Sequence, residues 1–209
     1  MDVIASPPAW FDYGAVMVFA ATGALAAARQ HQDIVTFGFF AAVTGVGGGT
    51  LRDLLIGAPV FWVARPGYLI ACLLAAAAVW TLGPGRARLR ILLWLDALGL
   101  AAYCVLGAAK AEAQGVPALS AMIMGVLTAC FGGVIRDVLA HQPSVLLRRE
   151  LYVTCAVSGA GAFVTLRMIG LPLLPAGLVG FALALAVRAG AIAFNWSLVG
   201  YHEPGAREG

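Results

Sequence analysis

Two short segments of the chain combine glycines with an arginine and an aspartate, residue types that could handle ions inside a membrane. The first is TGVGGGTLRDLLIG, residues 44–57, and the second is TACFGGVIRDVLAH, residues 128–141. Each glycine weakens a helix by about 1 kcal/mol relative to alanine, which predicts a kink or an unwound turn. An unwound turn frees backbone carbonyls, which could coordinate a passing cation where they line a wet cavity.

Close helix packing is the alternative role for these glycines, because Gly45 and Gly49 form a GxxxG pattern. A spacing of four residues also gives each segment one polar helix face. The residues on these faces are Thr44, Gly48 and Arg52 in the first segment and Thr128, Gly132 and Arg136 in the second.

The charged residues of the two segments are Arg52, Asp53, Arg136 and Asp137. A charged side chain deep in a bilayer costs roughly 2.5–3.5 kcal/mol, so these residues need partners or water and should face the bundle interior. They could line an ion path, or each arginine could pair with the aspartate of the other segment as a structural clamp. Each Arg–Asp pair is neutral, so these charges do not decide whether cations or anions pass.

Asp12 and Asp96 lie near the predicted starts of two helices. Capping of these helices is the favoured role, and lining the vestibule of an ion path is the alternative. Tyr68 and Tyr152 are expected to be interfacial or packing aromatics, and the three histidines to be loop residues. The four cysteines lie inside apolar runs and are expected to be buried.

Enzyme signatures are missing from the sequence. It has no HExxH, no GxSxG and no Walker lysine after its glycines, so neither catalysis nor a cofactor is expected. The basic residues form no stripe with interleaved aromatics, which argues against nucleic-acid binding.

The elements that must position these residues are membrane helices. Hydrophobic residues make up 62% of the 209 residues and charged residues 11%, and the mean hydropathy is +0.92. These values indicate one all-α membrane domain, residues 1–209, surrounded by lipid. Seven apolar segments are long enough to span a bilayer; they are residues 10–28, 34–57, 66–82, 91–110, 117–139, 150–168 and 172–194.

The chain contains an internal duplication with an offset of 84 residues. This offset pairs Asp12 with Asp96, Thr44 with Thr128, and the first Arg–Asp pair with the second. Because each copy has three helices, the second copy must enter the membrane from the opposite face, giving two inverted repeats. Repeat 1 spans residues 10–82 and repeat 2 residues 91–168, followed by an auxiliary seventh helix at 172–194 and a cytoplasmic tail at 200–209.

The distribution of lysine and arginine predicts the orientation. Connectors on the side of the N-terminus hold Arg65, Lys110 and Arg167, whereas those on the other side hold Arg29, Arg86, Arg88, Arg90, Arg148, Arg149 and Arg207. The positive-inside rule therefore predicts a periplasmic N-terminus and a cytoplasmic C-terminus. The Arg52–Asp53 layer would then lie toward the periplasm and the Arg136–Asp137 layer toward the cytoplasm.

These motifs resemble a known family. GVGGGTLRDLLIG in the first copy, and FGGVIRDVLA followed by PSVLLRRELY in the second, are similar to the prokaryotic trimeric intracellular cation channels, a group also labelled a glycine-transporter-like domain. The resemblance extends from about Trp10 to Asn195.

The resemblance implies a homotrimer in a bacterial inner membrane, with a pore in each subunit for potassium and other monovalent cations. The second and fifth spans would line the pore through Gly47, Gly48, Gly49, Gly132 and Gly133. The sequence departs from symmetry at Cys130 and Phe131, so Phe131 could form an apolar constriction, and the fifth span could unwind less than the second. Transient potassium or sodium binding is expected, without a tight metal site.

Three functions remain open at this point. A passive monovalent cation channel is the favoured hypothesis. A secondary transporter of a small amino acid such as glycine is the alternative, because inverted repeats and broken helices also serve transporters. A membrane protein that conducts nothing is the third.

Overall fold

Helices are the expected product of these continuous apolar runs, because a helix satisfies its backbone hydrogen bonds within one segment. The computed structural model describes residues 9–83, 85–142 and 151–198. Eight helices occur in these ranges. They are α1 (Ala9–Arg29), α2 (Ile34–Leu55), α3 (Phe61–Ala64), α4 (Gly67–Leu82), α5 (Arg86–Ala113), α6 (Ala118–Leu139), α7 (Val153–Met168) and α8 (Leu173–Phe194).

Four of these helices, α2, α5, α6 and α8, are long and apolar enough to cross a membrane. α4 and α7 are apolar but have 16 residues each, about 24 Å of helix against a hydrocarbon core of about 30 Å. Each predicted span falls on one long helix, and the four-residue α3 lies in the connector between α2 and α4. The all-α class is as predicted, whereas the crossing of all seven long helices stays a prediction.

The C-terminal ends of α2 and α6 have the same local structure. The C-cap of α2 is Ile56, whose N–H donates to the carbonyls of Arg52 and Leu54. The C-cap of α6 is Ala140, whose N–H donates to the corresponding carbonyls of Arg136 and Val138. The next residue has a positive φ in both copies, +67° at Gly57 and +48° at His141. The duplicated sequence thus folds into the same local structure twice.

The helices build two separate hydrophobic cores. α1, α2 and α4 pack together around residues such as Phe37 and Cys72. α5, α6, α7 and α8 pack together around residues such as Leu100 and Phe163. The main contact between these two groups is that of α2 with α6, supplemented by α1 against α5. Both glycine segments therefore lie where the two halves of the protein meet.

Candidate functional site

Contacts between α2 and α6 are reciprocal. A methyl group placed on Gly48 would lie 2.3 Å from the carbonyl oxygen of Thr128, and one placed on Gly132 would lie 2.3 Å from that of Thr44. Residue numbers therefore rise along one helix while they fall along the other, so the two helices cross antiparallel. The glycines allow one backbone to touch the other.

The predicted unwound turns are wrong for this structure. α2 and α6 stay α-helical through both glycine segments, so their backbone carbonyls remain in the helical hydrogen-bond ladder. Close packing across the crossing compensates for the low helix propensity of glycine. This result corresponds to the alternative role given to the glycines, and it removes free carbonyls as cation ligands in this conformation.

Each arginine pairs with the aspartate that follows it. Nε and Nη2 of Arg52 each lie 2.8 Å from Oδ1 of Asp53, and Nε and Nη2 of Arg136 lie 2.9 and 2.8 Å from Oδ1 of Asp137. The clamp in which each arginine reaches the aspartate of the other copy is wrong. Both pairs lie about six residues beyond the crossing in opposite directions, which separates them by about 18 Å along the helices.

Other side chains connect the two copies at these pairs. Nζ of Lys110 on α5 lies 2.7 Å from Oδ1 of Asp53, while the backbone N–H of Phe61 donates to Oδ2 at 3.1 Å. On the other side, Nη1 of Arg136 donates to Oγ1 of Thr22 on α1 at 3.0 Å. Asp53 is fully buried and receives three partners, so its charge is compensated. Sequence reasoning had treated Lys110 as a connector charge only.

A cavity of about 780 Å³ extends from one end of the molecule to the α2–α6 crossing. Its mouth is lined by residues of the connectors α2–α4 and α5–α6 and by the start of α8, including Arg65, Gln114 and Leu173. Its inner part is lined by Thr44, Gly48, Gly49, Thr128 and Gly132.

The predicted ion-path residues divide into two groups around this cavity. Lining it are Asp12, Thr44, Gly48, Gly49, Arg52, Thr128 and Gly132. Outside the lining lie Gly47, Asp53, Asp96, Phe131, Gly133, Arg136 and Asp137. The cavity thus reaches most of the candidates on the Arg52 side and none of the charged candidates beyond the crossing.

Thr44 is a polar group that lines the inner part of this cavity. It is 2% exposed, and its Oγ1 has no hydrogen-bond partner in the described structure. Its counterpart Thr128 instead donates from Oγ1 to the carbonyl oxygen of Met124 at 2.6 Å. The Thr44 hydroxyl faces Gly23 of α1, where an added methyl group would lie 2.5 Å from Oγ1, and Gly23 is outside the cavity lining.

Asp12 is held by two tyrosines at the cavity wall. The hydroxyl of Tyr68 donates to Oδ2 of Asp12, and that of Tyr103 donates to Oδ1. Tyr68 also stacks on Tyr13, with ring centroids 4.3 Å apart. The carboxylate thus serves as the acceptor of these hydroxyls, in a position that fits the vestibule hypothesis. Tyr103 was not singled out from the sequence.

Asp96 differs from the predicted cap. α5 begins at Arg86, so Asp96 lies well inside the helix, and it is 8% exposed. Tyr152 is its hydrogen-bond partner, and Arg136 and Arg188 are its positively charged neighbours. Tyr68 and Tyr152 are packing aromatics of the two cores, one of their two predicted roles, and their hydroxyl groups are also polar partners of the two aspartates.

Arg188 is a further functional candidate that matched positions in the two repeats do not reveal. It lies on α8, is 4% exposed, and its guanidinium carbon is 4.9 Å from the ring centroid of Tyr152. A single arginine inside the apolar run of the last span was the available signal, because the cost of burying it implies a partner.

The remaining predicted residues contribute less. The four cysteines are buried thiols, as expected, and His31 and His141 lie in exposed turns. His202, the residues 200–209 and the arginines Arg148 and Arg149 lie outside the described residues. Within the described ranges, no group of three or more His, Cys, Asp or Glu side chains could hold a metal.

A family model described as "Glycine transporter" matches the chain twice, over residues 9–84 and 93–168. The chain belongs to this glycine transporter family. The two matches start 84 residues apart, the same offset that aligns the two Arg–Asp pairs. The UPF0126 inner membrane protein YadS of Escherichia coli (strain K12) is similar to the chain, with 35% identity over 193 residues, which cover 90% of this chain and 93% of YadS.

Solved structures with similar folds are cation channels. The TRIC trimeric intracellular cation channel orthologue from Rhodobacter sphaeroides superimposes with a TM-score of 0.83 at 45% identity, covering 90% of this chain and 98% of the other. A structure solved to explain conductance through TRIC cation channels superimposes with a TM-score of 0.84 at 30% identity, covering 95% and 98%. The predicted resemblance of this glycine transporter family member to prokaryotic trimeric intracellular cation channels is confirmed, and its relatives are membrane proteins and channels, not enzymes.

Proposed function

We propose that this protein is a channel for monovalent cations, with potassium as the main permeant ion and a path within each subunit. The cavity that runs from one end of the protein to the α2–α6 crossing carries this proposal. It enters a domain made of apolar helices, yet Asp12, Arg52 and Lys110 line it. Charges at such a depth favour water, and a wet passage is what an ion needs.

The architecture behind the path is two inverted three-helix repeats, residues 10–82 and 91–168, with α8 as the unpaired seventh span. The reciprocal contacts at Gly48 and Gly132, the matching ends of α2 and α6 and the two family-model matches support it. Inverted repeats form ion paths at their interface. The similar TRIC structures support a homotrimer in the bacterial inner membrane.

Cations would enter from the periplasm. The cavity opens at the end that carries Arg65 and Lys110, and the lysine and arginine count assigns that end to the periplasmic side. Among the described lining residues Asp12 is the acidic one, so it is the candidate for attracting cations, and Thr44 lies deeper in the path.

Among the residues that the structure describes, the cavity does not continue past the crossing toward the other end. Arg136 and Asp137 are paired and lie outside the cavity lining. The side-chain amide of Gln30 donates to the carbonyl oxygen of Ala140 and joins the ends of α1 and α6. The second half of the path, with Gly133, Arg136, Asp137 and Phe131, would become accessible when this end opens.

Flux of potassium into liposomes that contain the purified protein tests the proposal. Ala109 lines the cavity, and Ala182 faces outward on α8. Ala109→Trp should fill the cavity and reduce the potassium flux by about tenfold or more, whereas Ala182→Trp, an identical substitution outside it, should leave the flux unchanged. Equal flux in wild type and Ala109→Trp would remove the cavity from the path.

Transport of a small amino acid is the second candidate, favoured by a cavity that, in the described part of the chain, reaches the crossing from one side. A transporter alternates such access, and its flux saturates. Counterflow of labelled glycine without single-channel currents would support this function and contradict the channel.

A further inference from the structure

The same Asp–Tyr pair occurs in both repeats. Tyr68 donates its hydroxyl to Asp12 in the first repeat. Tyr152 is the hydrogen-bond partner of Asp96 in the second. Both residues of the second pair lie 84 positions after those of the first. The duplication has therefore produced two equivalent carboxylate sites, one on each side of the α2–α6 crossing.

The surroundings of the two carboxylates differ. Asp12 lines the cavity and receives a second hydroxyl from Tyr103. The residue equivalent to Tyr103 in the first repeat is Phe19, which has no hydroxyl to offer Asp96. Asp96 is 8% exposed and lies outside the cavity lining. One carboxylate is open to the path and the other is covered.

Arg188 lies over the tyrosine of the second pair. Its guanidinium lies over the ring of Tyr152, 4.9 Å from the centroid, and it is a charged neighbour of Asp96. An aromatic face beside a carboxylate is a favourable site for a cation such as a guanidinium. The second Asp–Tyr pair thus already holds a cation, supplied by the protein.

The internal duplication does not place an equivalent of Arg188 in the first repeat. Arg136 is another charged neighbour of Asp96, but it belongs to an Arg–Asp pair that occurs in both repeats. α8 lies outside the repeats, so Arg188 has no counterpart near Asp12. Arg65 hydrogen-bonds Tyr68 in the first repeat, but it is exposed at the mouth of the cavity.

We propose that Arg188 is a built-in cation that occupies the Asp96–Tyr152 pair and closes the second half of the path, while the equivalent Asp12–Tyr68 pair takes a mobile monovalent cation. The second part rests on the proposed channel function. The unduplicated helix α8 then contributes to the polarity of the path, because it closes one of its two ends.

The rate at which the Cys130 thiol is modified tests this closure, and the measurement does not require the protein to conduct ions. Its thiol is 4% exposed and is an electrostatic neighbour of Asp96 and Arg188. In the full-length protein in liposomes, a small cationic methanethiosulfonate should modify Cys130 about tenfold faster or more in R188Q than in wild type, since the thiol becomes wet. R188K and the matched control R167Q should leave the rate unchanged. Mass spectrometry identifies the modified cysteine.

Cys72, in the core of the first repeat, serves as the internal reference. Its rate should stay slow in R188Q and in a second variant, R188M, which keeps the length of the side chain without its charge. Unchanged modification of Cys130 in both variants would overturn the proposal. A parallel rise at Cys72 in both would also overturn it, because Arg188 would then support packing alone.

Single-channel currents test the consequence for conduction. R188Q should raise the open probability about tenfold, and D12N should lower the potassium conductance. In a D96N background R188Q should have no effect, because the carboxylate through which Arg188 acts is gone. An effect of R188Q that persists in D96N would contradict the proposal. If wild type carries no current at all, the channel function fails, whereas Cys130 still decides whether Arg188 closes this end.

Discussion

At the residue scale, two glycines on different helices have one function, which is to let a backbone approach a carbonyl oxygen. Gly48 meets Thr128 and Gly132 meets Thr44, and each contact leaves no room for a methyl group. The neighbouring Gly47 differs, because a methyl group there would lie 3.1 Å from the flexible end of the Ile135 side chain. Adjacent glycines in one run therefore carry different constraints.

Gly48→Ala should lower the thermal stability of the purified protein, because a carbonyl on a packed helix cannot move aside. Overpacking of this kind costs about 1–3 kcal/mol. Gly47→Ala is the matched control and should be neutral or slightly stabilising, because alanine favours the helix and Ile135 can rotate. Melting followed by circular dichroism in detergent distinguishes them, and equal melting temperatures would show that the crossing is loose.

The sequence predicts the identity of the candidate site residues better than it predicts the contacts between them. The offset of 84 selected Thr44, Gly48, Arg52 and Asp53 together with their counterparts. It could not reveal that each arginine turns to its own neighbour, since partner choice depends on distances between helices. Lys110, Tyr103 and Arg188 break the duplication, so a search for matched positions passes over them.

At the element scale, packing overrides the local preference of a glycine run. GVGGG predicts a weak helix, yet α2 continues through it because α6 lies against those residues. The start of α2 is instead determined by residues that are close in sequence. Asp33 caps the helix, and its carboxylate accepts the backbone N–H of Thr36 at 2.8 Å. Because a cap depends on neighbours in sequence, this end is predictable from the sequence, whereas the continuity of the glycine segment is not.

Asp33→Ala should lower the melting temperature at pH 7, and the difference from wild type should shrink as the pH falls. The N–H of Thr36 holds the pKa of Asp33 below its usual value. A lowered pKa in the folded state stabilises the protein above the unfolded pKa of about 3.9, and this contribution is lost as the pH falls through the folded pKa. Asp33→Asn keeps the cap without the charge.

Melting curves of wild type, Asp33→Ala and Asp33→Asn at neutral and acidic pH measure this effect. The Asp33→Asn protein should melt above Asp33→Ala at both pH values, because its amide oxygen still accepts the N–H of Thr36. A gap between wild type and Asp33→Ala that is as large below about pH 3 as at pH 7 would argue against the charged cap.

At the scale of the whole molecule, the duplication produces two cores that meet at an antiparallel crossing. A passage at such an interface would be equivalent from both ends if the two repeats were identical, and both sequence differences and the unduplicated helix α8 make the ends different. α8 provides that difference through Arg188, and the cavity opens at the opposite end. The polarity of the path and the orientation of the protein in the membrane are therefore linked, and the orientation can be measured.

Cysteines introduced at Gln114 and Gln32 should react from opposite sides of the membrane. Both residues are exposed, and Gln114 lies at the cavity mouth, whereas Gln32 lies in the turn after α1. The native cysteines are buried, so they give little background. Because arginines concentrate on the side of Gln32, Gln114→Cys should react with an impermeant maleimide in spheroplasts, and Gln32→Cys only after permeabilisation. The reverse pattern would turn the cavity toward the cytoplasm, and reaction of both from one side would contradict the inverted repeats.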